Sequence, residues 1–108
     1  LYTGSAMNSL SLRIRRHLRK EKPCRWHIDY LIPHLEDIRA IAIQSNENLE
    51  CSISESLTSI TDDYVRGFGC SDCDCESHLY WMKNEPFNEE RFIDIILRFR
   101  IERLKAFL

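Results

Sequence analysis

Four sulfur or imidazole donors fall within nine residues in the pattern Cys70-x-x-Cys73-x-Cys75-x-x-His78. Thiolate and imidazole are the donors that tetrahedral Zn²⁺ prefers. The single residue between Cys73 and Cys75 is tight, however, and structural zinc sites more often use two ligand pairs far apart in sequence. The competing reading makes Cys73 and Cys75 small buried side chains and gives His78 a hydrogen bond inside the core, the commoner fate of such residues. His27 is a remote further ligand, although in Trp26-His27-Ile28-Asp29 a packing Trp and a His to Asp hydrogen bond are the simpler roles. Upstream, Arg13, His17 and Lys20 fall at i, i+4 and i+7, so a helix sets a guanidinium, an imidazole and an ammonium on one face, beside the apolar face and placed to line a cleft.

These side chains need elements to hold them. Residues 1–5 look like the end of a strand and a Gly turn. A helix is predicted from about Asn8 to before Pro23, with Asn8 or Ser9 as cap and Leu10, Ile14 and Leu18 as its buried face. Residues 26–35 read as a short helix interrupted near Pro33, and residues 38–44 alternate with enough apolar content for a central strand. A helix over 47–57 follows, capped by Asn46 or Asn48, with Leu49, Ile53 and Leu57 buried. A turn-rich loop from Gly67 to Cys75 leads to the apolar run Leu79-Tyr80-Trp81-Met82. Residues 88–108 form a long amphipathic helix capped by Asn88. It packs through Phe92, Ile96, Phe99, the Arg103 stem and Phe107, or through Ile93, Leu97, Ile101 and Leu104. So wide a stripe covers a sheet or pairs two copies of the chain as a homodimer. The expected class is α+β: a small antiparallel sheet covered by helices, with a long C-terminal helix added over 86–108.

Three strings carry more than composition: Tyr2-Thr3-Gly4-Ser5-Ala6 with Arg13 and Arg16-His17 after it, then Trp26-His27-Ile28-Asp29-Tyr30-Leu31, then Phe68-Gly69-Cys70-Ser71-Asp72-Cys73-Asp74-Cys75-Glu76-Ser77-His78-Leu79. In order and wording they resemble the Uri branch of the GIY-YIG endonuclease superfamily, up to about Trp81, with the terminal helix outside the resemblance. The resemblance implies a small nuclease domain that hydrolyses phosphodiesters by in-line attack of water, using a cation to neutralise developing charge. It implies Arg13 as the clamp on the scissile phosphate and His17 as a hydrogen-bonding group near the nucleophile. Tyr2 would be the second-motif tyrosine and Glu50 the ligand of Mg²⁺ or Mn²⁺, one carboxylate being enough for an ion that keeps several waters; Glu55 is its rival, and a first-turn acid favoured by the helix dipole is the plainer reading of Glu50. The superfamily's first strand, whose Gly-Ile-Tyr tyrosine serves as general base, belongs before Leu1, so the expected GIY-YIG-like fold lacks that strand over these residues. The glycine-rich turn of this branch is shortened here to Met7-Asn8-Ser9-Leu10. The branch carries the Cys and His string without a settled metal role, so zinc and buried thiols both stand.

Composition bounds the rest. With 108 residues, 44% hydrophobic, 30% charged, 3 Gly and 3 Pro, the chain is sized for one globular domain, 1–108, and is neither collagen-like nor disordered. Its longest apolar runs, 40–43 and 79–82, fall far short of the ~20 residues of a membrane span. Residues 1–10 lack the order of a secretory signal, so a cytoplasmic location is expected. Five cysteines, three of them within six residues, predict reduced thiols and no disulfide. The net charge of -2 hides a basic block (Arg13, Arg15, Arg16, Arg19, Lys20, Lys22, Arg25) followed by an acidic stretch from Glu36 to Asp63. Arg15, Arg16, Arg19 and Lys20 are candidate salt-sensitive phosphate contacts, against the plainer reading of a solvated helix face. Two functions follow. One is a metal-dependent endonuclease acting on DNA or other nucleic acid. The other is a catalytically incomplete nucleic-acid-binding or zinc-stabilised interaction module.

Overall fold

The computed structural model describes residues 1–6, 9–19, 22, 24, 26–45, 47–70 and 74–105, with side chains described up to residue 101. They fall into two compact units, one made of Leu1–Gly4 with Ile43–Leu108 and the other of Ser5–Ala42.

The first unit is built on a hairpin. Strand β1 (Asp63–Tyr64) pairs antiparallel with β2 (Tyr80–Trp81), setting Asp63 opposite Trp81 and Tyr64 opposite Tyr80. The two tyrosine rings meet at 6.1 Å across the strands, a contact that favours this register. Backbone pairing continues past the strands: Val65 N–H donates to Leu79 O, Gly67 N–H to Glu76 O and His78 N–H to Phe68 O, at 2.9–3.0 Å. Leu1–Thr3 add to the other side, where Tyr2 bridges Leu79, Tyr80 N–H donates to Leu1 O at 2.8 Å and Thr3 N–H to His78 O at 2.9 Å. The expected strand end is therefore present, and residues 78–80 are paired on both edges.

Two helices complete this unit. Helix α3 (Glu50–Thr58) starts where the Asn48 carboxamide oxygen accepts from Glu50 N–H at 3.1 Å. It buries Ser54 and Leu57, whereas Leu49 and Ile53 are only half-buried. A 3₁₀ turn, Pro86–Asn88, precedes α4 (Glu90–Lys105), so the helix begins two residues after the expected Asn88 cap. Helix α4 packs against α3 and buries Phe92, Ile95 and Phe99 at i, i+3 and i+7. Leu97 and Ile101 are exposed, so the stripe through Phe92 and Phe99 faces the core. Buried Tyr80 ties sheet to helix: its hydroxyl is 2.8 Å from both the Ser54 and the Ser77 carbonyl oxygens. The α+β class, the small antiparallel sheet and the long C-terminal helix all hold.

The second unit is short. Helix α1 (Leu10–Leu18) is capped by the Ser9 hydroxyl, which accepts from Leu12 N–H. It stops well before Pro23 because the Lys22 ammonium donates to the carbonyls of Arg16, His17 and Arg19 at 2.5–3.0 Å, filling the acceptors that end a helix. Helix α2 (His27–Leu31) runs into a 3₁₀ turn, Ile32–His34, around Pro33, where the interruption was expected. Ile28 and Ile32 are its buried apolar residues. No residue of α1 is buried and Leu18 is exposed, which corrects the expected Leu10, Ile14 and Leu18 core face. A unit this small has few side chains to lay over that stripe. The predicted strand over 38–44 is also absent, since residues 38–45 take no regular structure. Alternation yields a strand only where backbone groups find a ladder, and both edges of residues 78–80 are already taken.

Asp29 holds this unit. Fully buried, its carboxylate accepts from both Arg16 terminal nitrogens at 3.0 Å and from Trp26 N–H at 2.9 Å, with Lys22 Nζ at 4.0 Å. Removing one member of such a cluster leaves buried cations uncompensated. Asp29→Ala is expected to cost about 3 to 5 kcal/mol in chemical denaturation followed by tryptophan fluorescence, against less than about 0.5 kcal/mol for the exposed Asp37→Ala.

Candidate functional site

In the first unit, three separated segments converge on one imidazole. His78 is 1% exposed, and its Nδ1 lies 2.8 Å from Thr3 Oγ1 and 2.7 Å from Ser54 Oγ, while the two hydroxyls share a 2.5 Å hydrogen bond. Glu50 and Ser54 stand at i and i+4 on one face of α3, and both reach His78, Ser54 at Nδ1 and Glu50 at the opposite nitrogen, Oε1 to Nε2 3.8 Å. Gly69 makes room for the ring: its φ is +71°, and a Cβ there would stand 3.4 Å from the His78 Cβ. A serine, a histidine and a glutamate in a row suggest nucleophilic catalysis, but Ser54 is 0% exposed and shares its hydroxyl with Thr3. No substrate reaches it. The two hydroxyls fix the ring, and the side of His78 that meets other chemistry is Nε2.

The donor atoms of Cys51, Cys75 and His78 are all within 4.8 Å of one another, so these three residues can hold a metal ion. Cys51 and Cys75 are at disulfide distance, with Cα atoms 6.0 Å apart, which corrects the expectation of unpaired, reduced thiols. Sequence spacing drew attention to the near neighbours of Cys75. Helix α3 instead delivers Cys51 from 24 residues away. Of the Cys70, Cys73, Cys75 and His78 string, Cys75 and His78 do come together. Cys70 directs its thiol to the Phe68 carbonyl at 3.4 Å, and Cys73 lies outside the described residues. Glu50 is the carboxylate beside His78, while its rival Glu55 is exposed on α3. Tyr2 is half-buried next to the cluster, its ring edge-on to Phe68 at 6.2 Å. Thr3, Cys51 and Ser54 were missed by sequence reasoning. Only the four-residue step from Glu50 to Ser54 offered a signal.

The second unit gathers cations on an indole. The guanidinium carbons of Arg13 and Arg16 lie 4.4 and 4.2 Å from the Trp26 ring centre, and the His17 ring is 5.5 Å away. Arg13 also donates to Ser5 O at 3.3 Å. Arg16 commits its planar fork to Asp29, so among the basic candidates it serves the interior. His27 is exposed at the start of α2. Arg15 and Arg19 are exposed, and Lys20 lies outside the described residues. Burial pushes the Lys22 ammonium below its ordinary value, opposed by the Asp29 carboxylate.

Among the described residues no helix is long and apolar enough to cross a membrane. The fold and the cluster define a small α+β protein with a buried histidine braced by hydroxyls and faced by a carboxylate and two sulfurs. The chain belongs to the family described as "Domain of unknown function DUF123", whose model matches residues 1–101. No curated protein and no solved structure matches it.

Burial pushes the His17 imidazole below its ordinary 6.5, and the positive Lys22, Arg16 and Arg13 add to this against the pull of Asp29. The unfolded chain therefore takes up a proton on His17 before the folded chain does, and stability declines as pH falls through 6.5. Urea midpoints measured from about pH 7.5 down to about pH 5 should fall for the native chain and fall less for His17→Phe, which keeps a ring on Trp26.

Proposed function

We propose that the protein is a metal-dependent phosphodiesterase acting on nucleic acid, an endonuclease of the GIY-YIG type. The observation that carries this reading is the position of Glu50. Among the acids of its segment it is the one whose carboxylate faces a buried imidazole fixed by second-shell hydroxyls, the pairing by which proteins orient metal ligands. Glu50 would hold a divalent ion, Mg²⁺ or Mn²⁺ by the resemblance, which would supply Lewis-acid polarisation of a phosphoryl oxygen and an acidified water. Tyr2, the second-motif tyrosine by the resemblance, bridges Leu79 in the same unit. In the other unit Arg13 presents an always-charged planar donor group, already oriented by Trp26 and Ser5 O, and His17 follows one helical turn later. Exposed Arg15 and Arg19, with Lys20, supply sequence-independent phosphate contacts, DNA being the favoured polymer.

A second reading is favoured by the Cys51, Cys75 and His78 group: a zinc-stabilised module that binds nucleic acid without cutting it. Cleavage of labelled single- and double-stranded DNA with Mg²⁺ or Mn²⁺ separates the two. For the nuclease, Glu50→Ala abolishes cutting with binding retained, and Arg13→Ala slows it about 100-fold or more. Cutting that survives Glu50→Ala overturns the metal assignment, and a folded chain that binds but never cuts is the module. In either reading, Arg15→Ala with Arg19→Ala lowers affinity and reduces the salt slope of binding by up to about 2. An unchanged slope removes the basic helix from the interface.

A further inference from the structure

Two sulfurs and an imidazole gather within 4.8 Å of one another, and the softness of those donors decides which ion they take. We propose that Cys51, Cys75 and His78 form a soft-metal site taking Zn²⁺, with solvent completing its coordination, and that the ion and the Cys51–Cys75 bond exclude each other. The inference rests on the metal-binding reading of this cluster and not on hydrolysis.

The donor set comes from two stretches of chain far apart in sequence, Cys51 in the first turn of α3 and Cys75 with His78 at the start of the central strand segment, as in structural zinc sites. Thiolate sulfur selects Zn²⁺ over Mg²⁺, which requires oxygen ligands in a near-octahedral shell. His78 is prepared as a ligand. With Nδ1 occupied by Thr3 and Ser54, the tautomer protonated at Nδ1 donates into the hydroxyl pair and leaves the Nε2 lone pair toward Glu50. Cys51 lies in the first helical turn, where the dipole favours an anionic ligand.

The same two sulfurs stand at disulfide distance. A thiolate that gives its electron pair to a metal is unavailable for a sulfur–sulfur bond, and a cystine sulfur is a poor ligand for Zn²⁺. With a low-molecular-weight disulfide of the glutathione class as oxidant, one cysteine thiolate attacks the oxidant and forms a mixed disulfide. The second thiolate then displaces the remaining thiol. Two electrons pass from the cysteines to the oxidant, whose bond breaks to give two thiols, each taking one proton from solvent. Zn²⁺ leaves without changing oxidation state.

The test uses the full chain, reduced and kept anaerobic, titrated with Co²⁺ as a spectroscopic substitute for Zn²⁺. The expected result is the visible absorption of tetrahedral Co²⁺ with sulfur-to-cobalt charge transfer in the near ultraviolet, displaced by Zn²⁺. Adding glutathione disulfide should release the ion in step with the Cys51–Cys75 linked peptide seen by mass spectrometry. Ser54→Ala, which loosens the imidazole, should weaken Co²⁺ binding about 10- to 100-fold. A reduced, folded chain without charge transfer overturns the site, and an ion retained after the Cys51–Cys75 bond has formed overturns the exclusion. Where Cys75→Ser fails to fold, the oxidised native chain is the metal-blind control. DNA cleavage is not the readout, so this result and the nuclease reading can fail separately.

Discussion

The imidazole of His78 is polar at both ends and almost wholly out of water, and burying such a group is unfavourable unless each nitrogen finds a partner. The first unit is arranged to supply them. The Thr3 hydroxyl comes from the segment that flanks the sheet, the Ser54 hydroxyl from the middle of α3, and Glu50 from the start of the same helix. The backbone of His78 is committed as well, donating to Phe68 O and accepting from Thr3 N–H. One residue thus fixes the register of the flanking segment, the rotation of α3 and the path of the loop through Gly69. A shift in any of them strands a buried polar atom at a cost of about 1 to 3 kcal/mol.

The second unit solves the same problem with charge. Asp29 is buried with Arg16 and Lys22, and Arg16 lies on Trp26, so a carboxylate, two cations and an indole take the place of a larger apolar core. Small units bury a smaller share of their surface and have less hydrophobic stabilisation to draw on. Satisfied polar networks then do much of the specifying, because their geometry admits few alternatives. This division also sorts the basic block. Lys22 and Arg16 are turned inward as structure, which leaves Arg15 and Arg19 on the surface for any polyanion.

What could be read from sequence follows from the range of the interactions involved. The four helical segments, the break at Pro33 and the Ser9 cap are local, written in periodicity and cap residues within a few positions, and they are present. The strand over 38–44 failed because its alternation is also local, while a strand exists only through a distant partner. The site divides in the same way. Glu50, Cys75 and His78 were singled out by residue type, yet the partners that give them meaning, Thr3, Cys51 and Ser54, lie 24 to 75 residues away from the His or Cys they serve. A threonine in an N-terminal segment and a serine inside a helix have no distinctive local signature. Cysteine counting misled for the same reason: it weighed Cys70 and Cys73 by closeness in sequence, whereas helix rotation chose Cys51.

Helix geometry explains why carboxylate and thiol chemistry meet at one place. Successive residues of an α-helix are turned by about 100°, so Glu50 and Cys51 leave α3 in different directions, while Ser54 lies one turn beyond Glu50 on its own face. A side chain held between Ser54 and Glu50 therefore stands beside the path of Cys51, and His78 is that side chain. Cys75, three residues before His78, brings the second sulfur to that group. Carboxylate and sulfurs are thus neighbours of one imidazole, Glu50 at Nε2 and Cys51 from the next position of the same helix. Whether those sulfurs are thiolates or joined to each other sets how soft an ion the group can take.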